Sequence, residues 1–193
     1  MDVYEAIMTR RMTPKVGEAR PSRQEIEMLI AAAMQAPNHH LTRPWRFIVL
    51  AGEALDGLGE AMARRAAEKY GSGPGASQKV ELERSKPKRA PLIIAVIYVK
   101  SNHPKAVEVE DRYAVGAAVE NMLLAAHGMG LGAFWRTGPA SENPSVHEFL
   151  GLDKEETVAA FVYLGYPQDR REPADRTEDL QDRTTWMGVP PGS

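Results

Sequence analysis

Three clusters in this 193-residue chain place side chains where they could bind or polarise a ligand. Arg10-Arg11 sets two guanidiniums side by side at the end of an apolar-patterned segment. A guanidinium fork grips a phosphate through parallel hydrogen bonds; cations are also favoured at a helix C-terminus by the dipole. The pair fits either job. Ala36-Pro37-Asn38-His39-His40-Leu41-Thr42-Arg43-Pro44 is a polar loop stiffened near both ends by proline, and it runs straight into Trp45-Arg46-Phe47-Ile48-Val49-Leu50. A rigid polar loop with an aromatic anchor suits presentation of groups to a ligand, and it also serves as a plain helix-to-strand connection. Gly132-Ala133-Phe134-Trp135-Arg136-Thr137-Gly138 combines small residues, which let a planar ligand approach the backbone, with donors at Arg136 and Thr137.

Composition removes several chemistries. The chain has no cysteine, which excludes disulfides, thiolate metal sites and a cysteine nucleophile. A net charge of -2 gives no field that favours nucleic acid or an acidic membrane. No Walker A sequence, Gly-x-Ser-x-Gly elbow or His-Glu-x-x-His is present. Gly128-Met129-Gly130-Leu131-Gly132-Ala133 resembles part of a dinucleotide fingerprint, but there the strand precedes the helix, and here the order is reversed. His39 and His40 are adjacent, so their side chains diverge, and no ligand-spaced partner accompanies them. No metal and no side-chain nucleophile is expected, and a bound cofactor should carry any chemistry. The N-terminal MDVYEAIMTRR lacks the pattern of a signal peptide, so a cytoplasmic location is expected.

The elements that must position these clusters follow from periodicity. Residues 2–10 have helical spacing at Val3, Ala6 and Ile7. Ser22 and Glu25 make a capping-box signature for a helix that ends before Pro37. Trp45–Leu50 reads as a strand, residues 53–70 as an Ala-rich helix, and Gln78 to Arg89 as a charged surface helix. Pro91–Val99 is apolar at successive positions, the mark of a strand covered on both faces. Ala114–Met129 is a helix apolar nearly all round, broken by Gly116, Glu120, Asn121, His127 and Gly128, and too interrupted to cross a bilayer. Leu131–Trp135 and Val158–Leu164 are further strands, with a short helix capped by Asn143 between them. From Tyr166 onward the pattern dissolves, yet Leu180, Trp186 and Met187 favour an arm that packs on the body or on a partner subunit.

In this order and spacing, the Arg10-Arg11 pair, the Ala-Pro-Asn-His…Pro-Trp-Arg-Phe loop-strand and the Gly-Ala-Phe-Trp-Arg-Thr-Gly segment resemble the nitroreductase superfamily of FMN-dependent oxidoreductases, closest to its small YdjA-like branch. Phe149-Leu150-Gly151 and Phe161-Val162-Tyr163-Leu164-Gly165-Tyr166-Pro167 extend the likeness. It implies an α+β fold with a mainly antiparallel central sheet wrapped by helices. Residues 1–167 would be the FMN-binding domain and 168–193 an extended C-terminal arm. It implies a homodimer with FMN at the interface, and reduction of nitroaromatic, quinone or related acceptors by NAD(P)H in a ping-pong mechanism. The flavin N5 would carry the chemistry, with no catalytic side chain. Other flavin chemistry on this fold, such as dehalogenation or desaturation, and a non-enzymatic FMN sensor are the alternatives. Lys79, Lys86, Lys88 and Arg89 in the Gly71–Arg89 region would suit an anionic substrate if that region were a lid.

By the same resemblance Arg10, Arg11 and residue 12 would hold the FMN phosphate and neighbouring groups. Gln35, Asn38 and His39 would reach the flavin of the other subunit, and Trp135, Arg136 and Thr137 would line it from the core side. Two positions depart from the family pattern. Met12 stands where serine is usual, which removes a hydroxyl donor. Gln35 stands where close relatives often carry arginine, which removes a charge. Arg43 and Arg136 are the cations placed to compensate.

Overall fold

The computed structural model describes residues 1–169 and 180–188. Four strands, β1 (Trp45–Ala51), β2 (Leu92–Val99), β3 (Gly132–Arg136) and β4 (Glu156–Gly165), pair antiparallel in the order β1-β2-β4-β3. β2 and β4 are therefore internal and β1 and β3 form the edges. The unbroken apolar run of β2 is covered on both faces: Ile94 and Val96 face one buried cluster, Ile93 and Ile97 the other.

Helices α2 (Arg23–Ala33) and α5 (Glu108–Gly128) cover the first face with Leu29, Val119, Met122 and Leu123. Helices α3 (Glu53–Tyr70) and α6 (Pro144–Phe149) cover the second with Leu58, Met62 and Val146. Helix α1 (Val3–Thr9) packs on α5, and α4 (Ala76–Ser85) rides on α3. The α3–α4 approach needs Gly59, because a β-carbon there would fall 2.3 Å from the Arg84 carbonyl oxygen. Both expected caps are present. Asp2 accepts from the Glu5 N–H at 2.8 Å, and Ser22 and Glu25 close a reciprocal capping box.

One expectation changes: helix α5 starts at Glu108, not Ala114. Val107 offers no side-chain cap to mark the start, but Glu108, Glu110 and Asp111 all favour the positive end of the helix dipole. The charged stretch before β2 is a surface helix, as expected, continued by a short 3-10 turn (Lys86–Arg89) and packed against α3. Three of its cations have local partners: Lys86 pairs with Glu83, Lys88 with Asp56 at 2.6 Å, and Lys79 lies over the Tyr70 ring.

In the arm, residues 170–179 and 189–193 lie outside the described residues. Trp186 is described and is 69% exposed, so the body of this chain does not cover it.

Candidate active site

The segment that carries Arg10 to Met12 is strapped across one end of the sheet. Thr13 N–H donates to Ala133 O at 2.9 Å, Gly17 N–H to Tyr166 O at 2.8 Å, and Val16 bridges Pro167. Two facing glycines, Gly132 and Gly165, open the sheet surface for this crossing. A β-carbon on Gly132 would lie 2.9 Å from Thr13 Cγ2, and one on Gly165 2.8 Å from Val16 Cβ. The N-terminal segment thus lies directly on backbone, beside the edge strand β3.

Arg10 Nε donates to Glu120 Oε1 at 3.0 Å, with the Arg10 side chain 14% exposed. Its terminal nitrogens make no hydrogen bond among the described residues. The carboxylate steadies the guanidinium along one edge and leaves the other edge for an anion. Arg11 is turned differently: its Nη1 donates to the Met8 and Arg10 carbonyls at 2.8 and 2.7 Å. It caps the end of α1, so the two adjacent guanidiniums have different protein partners. Met12, in place of a hydroxyl, accepts the Trp135 N–H on its sulfur at 3.4 Å. The Trp135 indole N–H is buried with no partner among the described residues.

His127, on α5, contacts this group from below. Thr9 Oγ1 spends its single proton on Glu5 O at 2.6 Å, so it accepts from His127 Nε2–H at 2.8 Å, and this sets the neutral tautomer. Burial, then the charges of Arg10 and Arg11, push the His127 pKa below its ordinary 6.5. The unfolded chain therefore binds the proton more readily, and this term costs stability as the pH falls through 6.5. We expect the thermal midpoint of the flavin-free protein to drop between neutral and mildly acidic pH, and His127→Gln to flatten that drop. An identical slope in the variant would remove His127 from the account.

The polar loop is rigid, as expected, through its own bonds. Asn38 accepts from the Arg43 N–H at 2.9 Å and donates to Ala36 O at 3.2 Å, so its amide is used inside the loop. Thr42 donates to Asp111 at 2.6 Å, a carboxylate only 3% exposed. His40, Leu41 and Arg43 all have positive φ, a strained run of the kind found at ligand sites. Asn38 and His39 border an open cleft with Glu110, Tyr113 and Ala117 of α5, and Gln35 is exposed nearby. The cleft runs along α5 from Glu110 to Ala117, and Ala117 lies three residues, about 4.5 Å along the axis, from Glu120 of the Arg10 group.

At β3 the strand alternation divides the third cluster. Trp135 faces the α5 side, while Phe134 faces α3 and α6. The Arg136 guanidinium lies over the Phe134 ring at 5.1 Å, so it does not share a wall with the Trp135 indole. Thr137 is exposed where the strand ends.

The sequence pattern of the Nitroreductase family matches residues 7–166. The chain belongs to the nitroreductase family. Among curated members, "Putative NAD(P)H nitroreductase YdjA" of Escherichia coli (strain K12) is 34% identical over 168 residues, covering 87% of this chain and 90% of that protein. A nitroreductase-like family protein from Bacillus cereus has a crystal structure that superposes with a TM-score of 0.82 at 22% identity, covering 98% of this chain and 97% of the other. The "putative nitroreductase in complex with fmn" from Desulfovibrio desulfuricans is 25% identical with a TM-score of 0.72, covering 98% and 99%. These matches agree with the antiparallel sheet and its covering helices. Among the described residues no helix is long and apolar enough to cross a membrane, and no cluster of His, Asp or Glu could hold a metal.

Sequence reasoning missed Glu120 and His127 as the partners of Arg10 and Thr9. Both were legible as polar interruptions of an apolar helix, and a charge in that setting needs a partner. Thr9 carried no signal of its own.

Proposed function

We propose that this protein is an FMN-dependent oxidoreductase that takes electrons from NAD(P)H and reduces nitroaromatic, quinone or related acceptors, the two substrates using one site in turn with ping-pong kinetics. The observation that carries this reading is Arg10: a largely buried guanidinium, steadied by Glu120, whose terminal nitrogens make no hydrogen bond among the described residues, in a segment laid along the edge strand β3. The residues present fit the cofactor. Arg10 would hold the phosphate, with Arg11 adding positive charge from its capping position. Met12 and Thr13 would border the ribityl chain. Trp135, whose indole N–H lacks a protein acceptor, and Thr137 would line the ring at the edge of β3. When bound, FMN supplies the two-electron redox chemistry; the protein binds it, orients it and keeps one face open, and no side chain need act as acid or base.

We further propose a homodimer in the cytoplasm. Val3, Tyr4 and Ile7 on α1 and Val109 and Tyr113 on α5 are exposed large apolar side chains, which a second copy would cover. In such a dimer Gln35, Asn38 and His39 would complete the partner's site. Trp186, uncovered by its own body, would pack on the partner as part of the arm.

A visible spectrum tests the function. The purified protein should be yellow, and anaerobic NADH or NADPH should bleach it within seconds. A flavin that stays oxidised would favour a sensor. A colourless protein that cannot be reconstituted with FMN would overturn the reading.

A further inference from the structure

On the face of the sheet away from Trp135, a small cavity of about 140 Å³ is lined by Arg89, Arg136, Tyr163, Pro14, Val16 and Phe134. Its two charged side chains are both cations, and the Tyr163 and Thr13 hydroxyls are its neutral polar groups. Tyr163 is 5% exposed, directly opposite Phe134 in the sheet, and its hydroxyl makes no hydrogen bond to the described residues. Neither Arg89 nor Arg136 has a carboxylate partner among the described residues, whereas the neighbouring Lys86 and Lys88 are paired with Glu83 and Asp56. The Arg136 guanidinium lies over the Phe134 ring, 5.1 Å from its centre. Both guanidiniums lie near enough to the phenol to counter the rise that burial gives its pKa, while Glu83 adds to that rise.

The exposed Arg89, the half-buried Arg136 and the buried Tyr163 line one space, and neither cation has a carboxylate partner among the described residues. An occupant that only accepts hydrogen bonds satisfies all of them, and the volume admits a group of about five heavy atoms. We propose that Arg89, Arg136 and Tyr163 form a binding site for a small oxyanion, inorganic phosphate or the terminal phosphate or carboxylate of a substrate, distinct from the phosphate grip at Arg10. Arg136 then serves an anion other than the flavin.

Calorimetric titration of inorganic phosphate into FMN-loaded protein at constant ionic strength tests this. One saturable site is expected. Arg136→Ala and Arg89→Ala should each weaken it about tenfold, as loss of a charge-assisted bidentate contact does. Tyr163→Phe, which keeps the packing, should weaken it by a smaller factor. The flavin-free Arg10→Ala protein should retain it, so the result does not depend on FMN being the cofactor. Acetate that displaces phosphate would assign the site to carboxylates as well, and phosphate that resists acetate would restrict it to tetrahedral anions; both support the site. Absence of a saturable site, unchanged affinity in Arg136→Ala, or a phosphate site in flavin-free wild type that FMN abolishes would each overturn the proposal.

Discussion

Arg10→Ala should yield a folded protein that purifies without flavin, its FMN affinity lowered about a hundredfold or more. Two charge-assisted hydrogen bonds to a phosphate are each worth about 1.5–3 kcal/mol, and 1.4 kcal/mol is a factor of ten. The loss compounds, because Glu120 loses its cation and is left facing the phosphate. Stability should change little, since Arg10 belongs to neither buried cluster. The flavin-to-protein absorbance ratio and quenching of FMN fluorescence on titration measure the first effect, and sedimentation shows whether the assembly persists. Arg10→Lys should fall between, because an ammonium offers a point charge without the fork. A variant that keeps its flavin would overturn the phosphate assignment.

Gly165→Val should damage both fold and site. Its β-carbon would meet Val16 Cβ at 2.8 Å and Pro91 Cδ at 3.1 Å, and neither neighbour is the far end of a flexible side chain. The strap must lift or the strand must bend, at about 3 kcal/mol. For a domain of this size that lowers the melting temperature by roughly 6–12 °C. Since the strap is continuous with Arg10, FMN affinity should fall in the same variant even though no ligand contact is removed. Unchanged melting and unchanged flavin content would show that the crossing is looser than its geometry indicates.

Local patterns in the sequence were sufficient for most elements. The capping box at Ser22, the successive apolar residues of β2 and the Asn143-Pro144 start of α6 each announce themselves within a few positions. What escaped was non-local. Arg10 meets Glu120 across 110 positions, and nothing near Arg10 says that its guanidinium is steadied rather than solvated. Arg11 has the same residue type as its neighbour, but its side chain turns back on the α1 carbonyls, a choice of rotamer that spacing does not encode. Arg136 follows Trp135 by one position in the motif, and strand alternation then sends the two to opposite faces. The resemblance groups Trp135 and Arg136 in one cluster; the pleat sends their side chains to different faces of the sheet.

The strap joins Val16 to Pro167, residues about 150 positions apart. During synthesis Arg10 leaves the ribosome well before β4, while the backbone on which its segment rests arrives only with that fourth strand. Closing so long a loop comes late in folding. The ligand grip is thus assembled last, and a chain interrupted before β4 lacks the surface that orders it. Cofactor uptake then marks completed chains, and FMN, by binding only the finished fold, draws the folding equilibrium toward it.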